Sequence, residues 1–326
     1  MSPKMSPIVS MFRRIILIIS VLFLVPACSY STSDDDLDFS FDIPRVRPPD
    51  PDPLFASGND FDIRSGVTVL AFSLGFSGSV LDSDVGMADF SEDVDFLIYD
   101  SIQDVIDLDV RLNGRQIINE LFRPRDIDLF ESDFSFRAYE KHLFSFTPTT
   151  LVVLKPNDPV YNFSHVTYGV WVNDPDTFFY DLSIGSVVFG FPTAVTDIPT
   201  TGHASYFGLF FGGMERFDEV FLLDGDAFIN VDFLSGDVVI LIDNVVGTEI
   251  NFGRRVNFFG WTGLGSIVNG ENLFLGIFLS DADSYVGEFS GSFFGPANPL
   301  PPEVGGLWSA TNARGEVAGG GFIGRR

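Results

Sequence analysis

The feature that most constrains this chain is a recurrence of short apolar runs through its second half, each closed by Gly, Asn or Asp. That spacing suits an antiparallel sheet or barrel, and it leaves no room for the crossover helices of βαβ units. The predicted strands are Ala204–Phe211, Ala227–Phe233, Val238–Asp243, Val256–Thr262, Leu273–Leu279, Tyr285–Phe294, Val304–Ala310 and Glu316–Ile323. About eight strands are enough to close an up-and-down barrel and so remove the sheet edges. In Ala227–Phe233, residues 227, 229, 231 and 233 share one face, while Asn230 and Asp232 take the other. Gly recurs inside these runs, at 208, 260, 276, 287, 291 and 319–321. Glycine weakens a strand unless a sharp bend or a close backbone approach requires it, as small barrels do. The 37 Phe then read as filling for the space those glycines leave, rather than as an aromatic ligand cage.

The first half is less regular. Gly66–Leu74 and Leu151–Leu154 have the β-branched and aromatic character of strands, and Ser135–Tyr139 alternates like a half-buried one. Between Ile102 and Phe122 two patterns compete. Ile106, Leu108 and Val110 alternate, whereas Ile117, Ile118, Leu121 and Phe122 suit a helical turn or two. The fold class expected is all-β: an antiparallel barrel of about eight strands at the C-terminus, preceded by a smaller β-rich, handle-like domain.

Before either lies a leader. Lys4, Arg13 and Arg14 precede an apolar run from Ile15 to Val25, which ends in Pro26-Ala27-Cys28. Eleven residues span roughly 16 Å as a helix, well short of a roughly 30 Å bilayer core, so the run reads as a secretory signal peptide and not a span. Leu24-Val25-Pro26-Ala27-Cys28 resembles the lipobox of bacterial lipoproteins. The resemblance implies cleavage after Ala27, lipidation of Cys28, and residence at the outer membrane, because Ser29 and not Asp follows. Multiple acyl chains would make that anchor stable. Pro44, Pro48, Pro49, Pro51 and Pro53, interspersed with aspartates, then read as an extended, self-repelling tether. The expected division is residues 1–27 lipoprotein signal peptide, 28–59 acidic Pro-rich tether, 60–165 handle-like domain and 166–326 barrel domain.

Charge narrows the partners. The chain carries 19 Lys+Arg against 45 Asp+Glu, a net charge of -26. That excludes a nucleic-acid binder working through a broad basic surface. It favours a basic partner face and a salt-sensitive association rate.

Three stretches resemble the barrel domain of the transferrin-binding protein B family of Gram-negative surface lipoproteins and its transferrin-binding protein-like solute-binding relatives. The first is Ile198-Pro-Thr-Thr-Gly-His-Ala-Ser-Tyr-Phe-Gly208. The second is Gly291-Ser-Phe-Phe-Gly-Pro-Ala297 followed, after an insertion at 298–302, by Glu303-Val-Gly-Gly306. The third is the closing Gly319-Gly-Gly-Phe-Ile-Gly324, and Tyr168-Gly-Val-Trp171 matches the family's Tyr-Gly-x-Trp strand upstream. The resemblance covers residues 160–326 and implies fold, lipidation and surface display. It also implies capture of a host or environmental protein or solute, with iron or haem acquisition as the associated role. The family's large binding lobe is not evident.

No residue of these motifs is chemically reactive, so they track fold and no ligand-binding residue is assigned from them. No nucleophile elbow, zinc-protease helix or phosphate loop is present. Three histidines, His142, His165 and His203, leave little for a His-based catalytic centre, His203 reads as a strand-edge residue rather than a metal or haem ligand, and one cysteine allows no disulfide. Asp224-Gly-Asp226 and Asp281-Ala-Asp283 lack the spacing of an EF-hand and read as exposed hairpin turns. No catalytic residue, metal or cofactor is expected. The leading reading is a non-catalytic surface binding protein, with recognition on loops at one barrel end and on the partner domain. Its rivals are a structural or adhesive outer-membrane lipoprotein without a soluble ligand, and an enzyme on a lipocalin-like barrel.

Overall fold

Runs such as Gly66-Val-Thr-Val-Leu-Ala-Phe72 are apolar at nearly every position because the strands they form are buried on both faces, so alternation is masked. The computed structural model describes residues 64–74, 80–88, 97–100, 105–112, 115–128, 132, 135–141, 149–176, 181–250, 252–280 and 284–326. The leader 1–27, Cys28, the tether 28–59, His142 and the Asp281–Asp283 pair lie outside the described residues.

The first strands are β1 (Arg64–Leu74), β2 (Val80–Ala88), β3 (Leu97–Asp100), β4 (Val105–Leu112) and β5 (Arg115–Phe122). Then follow β6 (Ile127–Asp128), β7 (Phe136–Lys141), β8 (Thr149–Leu154), β9 (Val166–Asp176) and β10 (Asp181–Gly190). A seven-stranded antiparallel sheet runs β2-β1-β10-β9-β8-β7-β6, and β3-β4-β5 form a separate three-stranded sheet. The segment 117–122, where a helical turn competed with a strand, is strand. In the β4–β5 hairpin Ile106 pairs with Phe122 and Val110 with Ile118, which puts these four and Leu108 on one buried face. That face packs on Val67, Val69, Tyr139, Leu151, Trp171, Val187 and Phe189 of the large sheet. Tertiary burial thus overrides a spacing that would also have served a helix.

The remaining strands are β11 (His203–Arg216), β12 (Glu219–Asp232), β13 (Asp237–Glu249), β14 (Arg255–Asn257), β15 (Trp261–Ile267), β16 (Phe274–Ser280), β17 (Val286–Phe294), β18 (Glu303–Thr311) and β19 (Val317–Arg325). Apart from the short β14, each pairs antiparallel with the next, and β19 returns to β11, so eight strands close an up-and-down barrel. One expected strand differs. Val256–Thr262 is split between β14, which pairs only with the end of β13, and the barrel strand β15, which starts at Trp261. The Phe258-Phe-Gly260 segment between them leaves the wall, and an apolar run cannot reveal such a break. Strands β9 and β10 belong to the large sheet, which therefore reaches across the 165/166 division suggested by the sequence, and the barrel wall begins at His203.

The barrel is solid with aromatic rings. Trp308 stacks on Phe210 at 5.0 Å, and Trp261 stacks on Phe278 at 5.4 Å and tilts against Trp308 at 5.0 Å. Phe289 lies over Gly263, Gly265 and Gly276, where an added Cβ would sit 2.5–3.0 Å from its ring. Missing side chains and large rings are therefore two halves of one packing solution.

Candidate functional site

Three of the four sequence motifs, those at 168–171, 291–306 and 319–324, fall at the joint between the large sheet and the barrel, whereas Ile198 and Pro199 of the other lie at a barrel mouth. Tyr168 stacks on Phe211 of the barrel wall at 3.8 Å, within a shared core that includes Leu70, Ile184, Val188, Leu307 and Ile323. The Glu303 carboxylate accepts three backbone N–H bonds, from Ser164, His165 and Val166, at 2.7–2.8 Å. Side chains on Gly305, Gly319 and Gly321 would strike Val188, Thr68 and the Phe211 ring at 2.7–2.8 Å. Thr68 Oγ1 donates to the Gly320 carbonyl at 3.1 Å in the gap those glycines leave. These motif residues hold one layer against another, so they frame a site and do not form it.

The loops leave the barrel at two ends. At the near mouth, a groove of about 420 Å³ is lined by Val195, Ile198, Pro199, Phe233, Leu234 and Glu271 among others. Next to Glu271, the side chain of buried Asn272 donates to the Thr193 and Phe293 carbonyls and accepts from the Phe293 N–H, each at 2.8 Å. His203 is exposed at this end, with Nδ1 3.7 Å from Asp232 Oδ2. Hydrogen bonds, first from the Leu234 N–H, hold the Asp232 carboxyl below its usual range.

The far mouth has a different chemistry. The two-residue β11–β12 turn places both Phe217 (φ 53) and Asp218 (φ 63) in the left-handed region, the geometry of a type I′ hairpin. Asp tolerates that region, whereas a bulky side chain does so only under constraint. Here the constraint is visible. The Glu316 carboxylate accepts the Phe217 N–H at 2.8 Å, and the Asp218 carbonyl accepts the Val80 N–H at 3.0 Å. The guanidinium of Arg314 lies 4.3 Å from the Phe217 ring centroid and that of Arg216 lies 5.1 Å away. Arg216 also covers Phe258 at 5.2 Å, Phe258 meets Phe221 edge-on at 5.3 Å, and Arg254 caps Phe221 at 5.9 Å. The result is a ladder of three arginines and three phenylalanines.

Although so constrained, Phe217 is 61% exposed, and Phe252 and Phe259 from the β13–β15 connection are 84% and 62% exposed. Beneath them the frame is anchored by carboxylates. Arg314 and Asn312 both bond Glu316. Burial works against its charged form, but bonds from Asn312, the Phe217 N–H and Arg314 bring its carboxyl below the usual range. Burial pushes Glu215 up, against a hydrogen bond from Ser83 and with Glu316 adding to the rise. The hydroxyl of Tyr285 donates to the Glu215 carbonyl.

Asp224-Gly-Asp226 is not a hairpin turn. It is a bulge within β12, where the register against β13 shifts. Burial raises the Asp224 carboxyl to about 6, with Arg255 opposing and Asp226 adding to the shift. Among the described residues no group of three or more His, Cys, Asp or Glu is placed to hold a metal ion. His165, the third histidine, packs its ring against Gly295. Sequence reading passed over Phe217, Phe252 and Phe259. The available cue was a phenylalanine in a turn context beside arginine, as in Arg216-Phe-Asp218 and Asn251-Phe-Gly-Arg-Arg255.

No family model matches the chain, and no curated protein matches it. In fold it is similar to a double mutant of transferrin-binding protein B from Haemophilus parasuis, at 14% identity and a TM-score of 0.45, covering 80% of this chain and 44% of that one. It is also similar to intact Ap-TbpB with N and C lobes, at 14% identity and a TM-score of 0.44, covering 82% and 47%. The chain spans under half the length of these structures. No helix among the described residues is long and apolar enough to cross a membrane.

Proposed function

We propose that this chain is a non-catalytic surface protein that captures a protein ligand at the far mouth of its barrel. The observation that carries this reading is Phe217, an exposed ring kept in left-handed backbone between two arginines. Strained, over-determined residues of this kind cluster at binding sites, and aromatic and arginine side chains dominate the energetics of protein interfaces. Phe252 and Phe259 add exposed rings from the β13–β15 connection, while the sheet and the solid barrel keep the mouth rigid, which lowers the ordering cost of binding. Cys28 would hold the chain at the outer membrane by its acyl chains, with the tether 28–59 lifting the folded part away from the lipid. The sequence resemblance puts an iron carrier of the transferrin kind among the first ligands to offer.

The test is capture from host or environmental fluid by the chain from Ser29 onward, which retains every described residue, beside a Phe217→Ala/Phe252→Ala/Phe259→Ala variant. The wild type should retain a protein that the variant loses, with both melting alike. Identical retention by the two would move the site elsewhere. The anchor is tested separately, since Cys28→Ala should release the protein from the membrane fraction.

A further inference from the structure

Among the described residues, nothing covers one side of the barrel wall. Pairing places Phe207, Phe228, Leu241, Thr262, Leu279 and Val286 side by side across six strands, in one outward row. The adjoining row, two residues along, contains Val239, Leu264 and Ile277, and ends at Glu288. Leu264 is 48% exposed, Ile277 53% and Val286 58%. At about 4.8 Å per strand the band runs about 24 Å around the wall, and its two rows stand about 7 Å apart along the strands. Continuous apolar surface on that scale marks an interaction site. It is too short along the strands for the roughly 25 Å apolar belt of a membrane barrel, and the interior is aromatic, not polar.

Charge selects the occupant. Asp226 and Asp243 pair on one border of the band, Asp237 stands on the other, and Glu288 closes one row. No Lys or Arg occurs between residues 217 and 253 or between 256 and 313, so β12, β13, β15, β16 and β17 carry none. Arg325, beside Phe207, is the cation at one end of the row. A second copy of this chain, with its net charge of -26, would bring like charge to these carboxylates. The chain's own aspartate-rich 28–59 segment and an anionic lipid surface would do the same.

We infer that this wall is a docking surface for a protein segment with apolar side chains at its centre and Lys or Arg on its flanks. It is a second surface, on the side wall and apart from the Phe217 mouth, and it does not depend on what that mouth binds. The probe is a labelled nine-residue peptide of alternating Lys and Leu, compared with its Glu–Leu counterpart, on the chain from Ser29 onward. The Lys–Leu peptide should bind, and Leu264→Asp/Ile277→Asp should weaken it at least tenfold without changing the melting curve. Asp237→Asn/Glu288→Gln should weaken it about threefold and flatten its salt dependence, while Phe217→Ala leaves it unchanged. Equal binding of the two peptides, or full affinity in the Leu264→Asp/Ile277→Asp protein, would overturn the proposal. So would self-association of the wild type that this pair of substitutions abolishes, which would assign the wall to a second copy. If the double variant does not fold, Leu264→Asn alone makes the same test.

Discussion

The barrel wall presents two faces made from the same strand geometry and treated in opposite ways. Where the large sheet docks, the outward positions are Gly213, Gly305, Gly319 and Gly321, so backbone meets side chain at close range. On the far side the outward positions are Leu241, Leu264, Ile277 and Val286, and among the described residues nothing lies over them. A covered wall needs shape more than hydrophobicity, because each extra methyl group must find room in a packed layer. The bare wall keeps branched apolar side chains that a monomer gains little from exposing, and this is what makes it legible as a surface for something else.

The sharpest way to break this contrast is to put a branched side chain on the covered face. In Gly321→Val a Cβ would lie 2.7 Å from the Phe211 ring and 3.0 Å from Val188. The expected loss is about 3 kcal/mol, read by denaturant unfolding. A loss well under about 1 kcal/mol would show that the docked layer yields easily.

Next comes Glu303→Gln, which leaves one oxygen to accept what two now share from Ser164, His165 and Val166. It should cost about 2 kcal/mol and speed hydrogen exchange at those three amides. Unchanged exchange would mean that the apolar joint alone holds the layers.

Asp224 stands at the boundary of the two faces, paired across strands with Phe211, the ring on which Tyr168 stacks. Its carboxyl, raised by burial to about 6, favours the protonated form in the folded state. That contribution is full below the unfolded value near 4 and is lost as pH rises through about 6. Asp224→Asn should therefore gain about 1 kcal/mol at pH 8, discounted for the group's partial exposure, and nothing at pH 4. An equal gain at both pH values would place the cause outside ionisation.

The smallest effect is expected on the bare face itself. Leu264→Asp should change stability by no more than about 0.5 kcal/mol, measured as a melting shift. A large loss would mean that this side chain supports the fold and that the wall is not a free surface.

Much of the architecture was legible from residues alone. The eight barrel strands were readable because period-two patterns and Gly, Asn or Asp breaks are local signals, and only the Val256–Thr262 run misplaced a strand. In the first half, 117–122 stayed open because four apolar residues fit a helical turn as well as a hairpin whose buried face is settled by a distant sheet. The far mouth was not legible, since Phe217 looks in sequence like any of the core phenylalanines. What distinguishes it is a left-handed turn and Arg314, which the closing strands β18 and β19 bring beside it.

The sequence by itself determined that strands would form, that they would close, and that Phe would fill the spaces Gly opens. Only the tertiary structure decided which glycines face a docked sheet and which face a ring, and which apolar residues remain uncovered. Alternation along a strand assigns a side chain to one face or the other, but what lies against that face is set by strands as far as 252 residues away, as between Thr68 and Gly320.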